Sequence, residues 1–352
     1  MQNEIKTQRN STIDTAKGFL MLCVVAGHIA GWSYDSVYIL YYFHLQTFFF
    51  ISGYLFNYQK YKFKPILLVR SRVSLYMKYF SYMVAFVVDH NLLTKCGFNG
   101  QGSSLYSWTE YFSALTNSLV VPSEPLTAAM WFIPALLAMQ VIFYASRTIS
   151  DLIGLNISFD SIVVLTLFFI GFYFLNQKVY TTLDYRYVTF LPFFYAGYLM
   201  RGVKTPRVNP FYSLSLSLIV LIYAHIYGVN MNNYYGINPF ELLSVSLFGV
   251  VFCISISDII SKYRISKVFE YIGERTIHIL ALHFISFKAA TIILVYIGLV
   301  DKSKIYDLGG GVDGSPYIGI VYLISGVAIP CALMMAYDFI KSKKTSNDVP
   351  AS

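Results

Sequence analysis

Residues 14–33 read Asp-Thr-Ala-Lys-Gly-Phe-Leu-Met-Leu-Cys-Val-Val-Ala-Gly-His-Ile-Ala-Gly-Trp-Ser. A hydrocarbon core of roughly 30 Å takes about 20 helical residues to cross, and this stretch has that length. Asp14 and Lys17 open it, an apolar run follows, and one imidazole, His28, sits near its end. Ser11-x-x-Asp14 has the character of a helix-capping box. With no small-residue cleavage site after the run, it reads as a retained first span and not as a signal peptide.

The same pattern recurs along the chain, at 37–57, 72–89, 126–146, 159–176, 186–200, 209–228, 240–260, 276–299 and 316–340. The expected fold class is therefore all-α and integral to the membrane, a polytopic bundle of about ten transmembrane helices. The expected organisation is a single transmembrane domain over 1–345 followed by a disordered tail at 346–352. Lys and Arg fix the orientation. If the N-terminus is cytoplasmic, nineteen of the 26 fall on the cytoplasmic side and five on the outer side. That bias places both termini in the cytoplasm.

Composition narrows the function. Only 12% of the 352 residues are charged and 56% are apolar, against about 25% charged in soluble domains. Mean hydropathy is +0.56. The formal charge of +8 resides in short connections between apolar runs, so it describes orientation and no nucleic-acid partner is expected. Cys23, Cys96, Cys253 and Cys331 show no metal-binding or CxxC spacing, so neither a disulfide nor a zinc site is expected. The longest connection, about 90–125, is expected outside the membrane, as are Asn230–Asn238 and Asp307–Ser315.

An ionisable residue inside a span is costly and calls for a reason. His28 lies eleven residues after Lys17, so the two share one helix face, about 20° apart and roughly 16 Å along the axis. His44, in Tyr41-Tyr42-Phe43-His44, lies on the second span. On these span limits His28 precedes the end of its helix and His44 follows the start of the next, at similar depth. His283, in the ninth span, is a third candidate, and Ser52-Gly53 offers a hydroxyl beside a close-packing position. No spacing suits a metal, and no P-loop, dinucleotide-binding or GxSxG fingerprint is present.

Asp14-Thr-Ala-Lys17-Gly18 with His28, then Phe43-His44 and Phe49-Phe-Ile-Ser52-Gly53-Tyr54, resembles the acyltransferase 3 family. The style is closest to its fucose 4-O-acetylase-like branch, bacterial membrane enzymes that O-acylate cell-surface carbohydrates. Trp131-Phe132 with Pro134-Ala-Leu136, and Tyr271-Ile-Gly273 with Thr276 and His283, resemble two further family segments. The resemblance covers nearly the whole chain. It implies that Lys17 and His28 form the basic-x10-His motif and that His44 belongs with them in catalysis. It implies that Arg70 and Arg72, one residue apart where the family has two, bind the donor. Asp14, Ser52, Gly53, Trp131 and His283 are then site-lining. His278 and Arg275 stand where Tyr and Asn are expected, and no role follows for them.

The implied reaction uses cytoplasmic acetyl-CoA as acyl donor, with no permanently bound cofactor and no metal. Its acceptor is a carbohydrate hydroxyl, and its setting is the bilayer of a bacterial inner membrane. His28 serves as general base, a role that suits an imidazole, or as a covalent acyl relay. The rival is a transporter or flippase for a glycan precursor or solute, with the histidines as a proton relay. The absence of internal repeats weighs against it.

Overall fold

Asn10 starts the first helix, its side chain accepting from the Ile13 amide at 3.3 Å. Sequence had assigned that cap to Ser11. Ser11 instead donates its hydroxyl to Glu270, tying the helix start to a distant segment. The computed structural model describes residues 10–32, 39–155, 157–177, 185–201, 209–228, 238–311 and 315–347. The expected loop at 230–237 and the end of the expected tail, from 348, lie outside the described residues; the last helix runs to Asn347.

The helices in order are α1 (Ser11–Gly27), α2 (His44–Leu55), α3 (Tyr58–Tyr61), α4 (Pro65–Val88), α5 (His90–Lys95), α6 (Trp108–Asn117), α7 (Phe132–Leu152), α8 (Ile157–Asn176), α9 (Arg186–Thr189), α10 (Leu191–Met200), α11 (Pro210–Ile226), α12 (Pro239–Ile260), α13 (Ser266–Glu274), α14 (Thr276–Tyr296) and α15 (Pro316–Asn347). A 3-10 turn at Pro125–Trp131 leads into α7, and another spans Lys302–Tyr306. Helix makes up 80% of the structure, with no strand among the described residues.

Among the described residues, five stretches are long and apolar enough to cross a membrane: Pro125–Leu152, Phe159–Asn176, Pro239–Ile260, Thr276–Tyr296 and Pro316–Lys343. Large apolar residues such as Ile219, Ile293, Ile324 and Leu333 face outward, the surface a lipid-facing bundle presents. The protein is a multi-pass membrane protein.

Several expected boundaries move, each for a local reason. The first helix ends at Gly27 with His28 as its cap, not at 33. There the Gly27 carbonyl accepts from the Tyr41 hydroxyl at 2.8 Å, and Gly309 O accepts from the Ala30 amide at 3.1 Å. The second helix begins at His44, not 37, and its side chains satisfy carbonyls freed by the break: His44 Nδ1 donates to Leu40 O and Gln46 Nε2 to Tyr41 O. Broken backbone at membrane depth is tolerated where protein supplies such partners. The third expected span corresponds to α4, which starts at Pro65, a residue suited to a first turn, and this puts Arg70 and Arg72 inside it. The expected sixth span divides into α9 and α10 at Phe190, just before Pro192, which has no amide to continue the ladder.

Two crossings set the spacing of the central helices. A Cβ on Gly53 of α2 would lie 1.8 Å from Phe194 O of α10, and one on Gly197 of α10 would lie 1.9 Å from Phe50 O. The same reciprocity joins α1 to α13: a Cβ on Gly18 would lie 2.0 Å from Phe269 O, and one on Gly273 would lie 2.2 Å from Asp14 O. Without a hydrophobic drive between helices in lipid, close backbone approach through small residues supplies the packing. α12, α13 and α14 all pack on α1. The near end of the bundle is here the end at which α1 begins, and the far end that at which it finishes.

Candidate active site

A cavity of about 370 Å³ lies between the helices. Lys17, Met21, Val24 and His28 of the first helix form one wall; His44, Leu45, Phe48 and Ser52 of the second form another. Trp131, Phe132 and Arg186 close it opposite, with Thr276 and Leu280 of α14. Lys17 and His28 thus share a face, roughly 16 Å apart along the axis, and the cavity reaches both.

The imidazoles gather at the far end of this cavity. His28 is half-buried, and its ring makes no hydrogen bond among the described residues. His283 of α14 lies behind it, fully buried, with ring centroids 5.2 Å apart, and Phe284 lies at 5.0 Å. His44 is buried and stands edge-on to Tyr41 at 5.0 Å. A carbonyl only accepts, so the contacts of His44 Nδ1 with Leu40 O and of His283 Nδ1 with Ile279 O and Leu280 O fix the proton on Nδ1. Each ring therefore keeps a lone pair on Nε2, and that of His283 has no partner.

The remaining expected site residues divide. Ser52 and Trp131 line the cavity; Gly53, one step on, is the helix crossing instead. Asp14 is buried beside the wall and holds Lys17 at 3.3 Å. Arg70 and Arg72 line neither this cavity nor its neighbour, and two positions apart on α4 they point about 200° from one another. Arg70 is exposed, whereas Arg72 donates to Gln140 and lies 5.6 Å over the Tyr61 ring. His278 accepts or donates at 2.7 Å with Tyr82, and Arg275 pairs with Glu274 and Asp338, both away from the cavity.

Sequence reasoning passed over two residues of consequence. Arg186, at the start of the expected sixth span, lies 3.8 Å over the Trp131 ring inside the cavity wall. Lys288 of α14 is fully buried and donates to Ile305 O at 2.7 Å and Asp307 O at 2.8 Å. It thereby pins the loop whose Gly309 lies against the His28 carbonyl, too close for any Cβ. The cost of an ammonium inside a span was the signal that would have found it.

A second cavity, of about 550 Å³, opens at the far end and shares His28, Ala129, Trp131 and Arg186 with the first. Residues 10–335 match the family model described as an acyltransferase domain, that of acyltransferase 3. The chain belongs to the acyltransferase 3 family. It is therefore a membrane acyltransferase, and the transporter reading is not favoured. No curated protein and no solved structure matches the chain.

Proposed function

We propose that this acyltransferase moves an acetyl group from cytoplasmic acetyl-CoA to a hydroxyl of a cell-surface carbohydrate, with His28 as general base. The observation that carries the proposal is the cavity wall itself, with Lys17 toward the near end, His28 and His44 toward the far end, and His283 packed behind His28. The near end then faces the cytoplasm of a bacterial inner membrane, as the Lys/Arg bias requires. The ten-span reading, with both termini on that side, belongs to the same proposal.

In this scheme the donor's phosphates sit at the near end, toward Lys17 and the Arg70 and Arg72 region of α4. The thioester lies along the cavity beside Ser52 and Phe48. His28 takes the proton of the acceptor hydroxyl as its oxygen attacks the thioester carbonyl. Arg186 supplies positive charge where the tetrahedral oxygen becomes negative. The C–S bond then breaks, and the CoA thiolate takes the proton from His28, restoring the neutral ring. His44 and His283, each with its Nδ1 proton fixed by a backbone carbonyl, stand beside the base.

The test uses purified protein in lipid nanodiscs, labelled acetyl-CoA and surface carbohydrate stripped of esters by mild base. Wild-type protein should label the carbohydrate, and His28→Ala should not. Full activity in a folded His28→Ala variant overturns the assignment.

A further inference from the structure

The mechanism leaves the buried acid Glu124 unused. Glu124 is 2% exposed and lines the second cavity together with His28, Ser123, Trp131 and Arg186. One of its oxygens, Oε2, lies 2.7 Å from His90 Nδ1. The other, Oε1, is buried without a hydrogen bond of ordinary geometry, and the Tyr106 phenol stands near the carboxylate. A buried acceptor left unpaired is costly, so a built structure that keeps one open invites a donor from outside the chain.

The surroundings of Glu124 are built with care. The His90 ring lies flat on Tyr106, centroids 3.4 Å apart and planes 2° from parallel, with Nε2 3.0 Å from Ser104 O. Asn91 holds Tyr106 by both backbone groups, and Asn99 donates to His90 O at 3.2 Å. Thr127 bonds the Glu124 carbonyl through both its amide and its hydroxyl, each at 3.0 Å. The carboxylate is therefore clamped from behind, at a wall it shares with His28. The cavity walls carry one carboxylate and one guanidinium beside an indole. That set offers acceptor and donor contacts without favouring a net charge, which suits a neutral polyhydroxyl ligand. Its size is that of an ordinary small-molecule site.

We infer that Glu124 is the acceptor-anchoring residue: Oε1 takes a hydrogen bond from a hydroxyl of the carbohydrate held in the far cavity, so that a neighbouring hydroxyl meets His28. This rests on the carbohydrate acyl transfer proposed above, and it adds the acceptor's seat and the residue that selects it. His90 is the positioning residue behind it.

The experiment measures both Michaelis constants with the full-length protein in nanodiscs. The donor is labelled acetyl-CoA; the acceptor is base-de-esterified surface carbohydrate from cells lacking the protein. Glu124→Gln should raise KM for the carbohydrate by roughly tenfold or more, the loss of a charged hydrogen bond. KM for acetyl-CoA and kcat at saturation should stay within about twofold. Glu124→Asp, which keeps the charge and retracts the oxygen, should give a smaller rise and serves if the Gln variant does not fold. An unchanged carbohydrate KM in a folded variant overturns the inference while leaving the acyl-transfer reading intact. A parallel rise in both constants with a lowered unfolding temperature also overturns it, by showing a structural role. If wild-type protein labels no carbohydrate, the parent reading falls and this one with it.

Discussion

At His28 the backbone leaves the helix, and the ring is left without a hydrogen bond beside two imidazoles whose Nδ1 protons are pinned. A base must be within reach of the proton it takes, and of the three rings only His28 lines both cavities. His28→Ala is expected to lower transfer at least ~100-fold with acetyl-CoA binding unchanged, read by labelled-ester formation and by calorimetric titration of the donor. Lys17→Met should act differently, raising KM for acetyl-CoA roughly tenfold with a smaller change in kcat, because it removes binding made equally in ground and transition states. Unchanged donor KM would count against its placement at the phosphates. Much of this residue set was legible from spacing alone. Eleven helical steps put Lys17 and His28 on one face, and an intramembrane histidine demands an explanation. Glu124 and His90 were not legible, because they are 34 positions apart and an isolated Glu or His in a connecting segment is ordinary until folding joins them.

At the scale of elements, glycine crossings and a pinned loop hold the site. Gly53→Val would drive a side chain into Phe194 O, already 1.8 Å from an ideal Cβ. Overpacking of this kind costs about 3 kcal/mol or more, so thermal unfolding in detergent should shift down sharply or folded protein should be lost. Normal stability would contradict the crossing. Lys288→Met should free the Lys302–Asp307 segment from its two carbonyl contacts. The expected result is about a tenfold fall in kcat and new protease cleavage in that loop; intact resistance with full kcat would contradict it. The segment carrying His90 makes a prediction in pH. Burial, and next the Glu124 carboxylate, push the Tyr106 phenol up to about 12, above its ordinary value of about 10. The neutral phenol's contribution is thus complete below pH 10 and fades as pH rises toward 12. The phenolate absorbance that distinguishes wild type from Tyr106→Phe should titrate near 12; a midpoint near 10 would contradict the packing. The helices themselves were legible as apolar runs. Their ends at Gly27 and His44 were not, since they depend on the Tyr41 hydroxyl, Gly309 and Gln46, partners that no periodicity shows.

Across the whole molecule, the two cavities share four residues, and His28 is among them. The first reaches back along α1 to Lys17; the second opens at the far end beside the buried Glu124. Donor and acceptor would therefore approach one imidazole from opposite ends of the bundle, with neither crossing it. The fold class followed directly from composition and run length, because hydrocarbon leaves the backbone few choices. That the broken first and second helices would leave room for a cavity at their imidazoles did not follow from hydropathy. Transfer across a sealed membrane tests this most directly. The protein is reconstituted in closed vesicles with ester-stripped carbohydrate trapped inside, and labelled acetyl-CoA is added outside. For molecules whose near end faces outward, labelled carbohydrate should form inside the vesicles, and His28→Ala should abolish it. Label that appears only after the vesicles are broken, or equally with His28→Ala, would contradict a donor and an acceptor meeting at His28 from opposite faces.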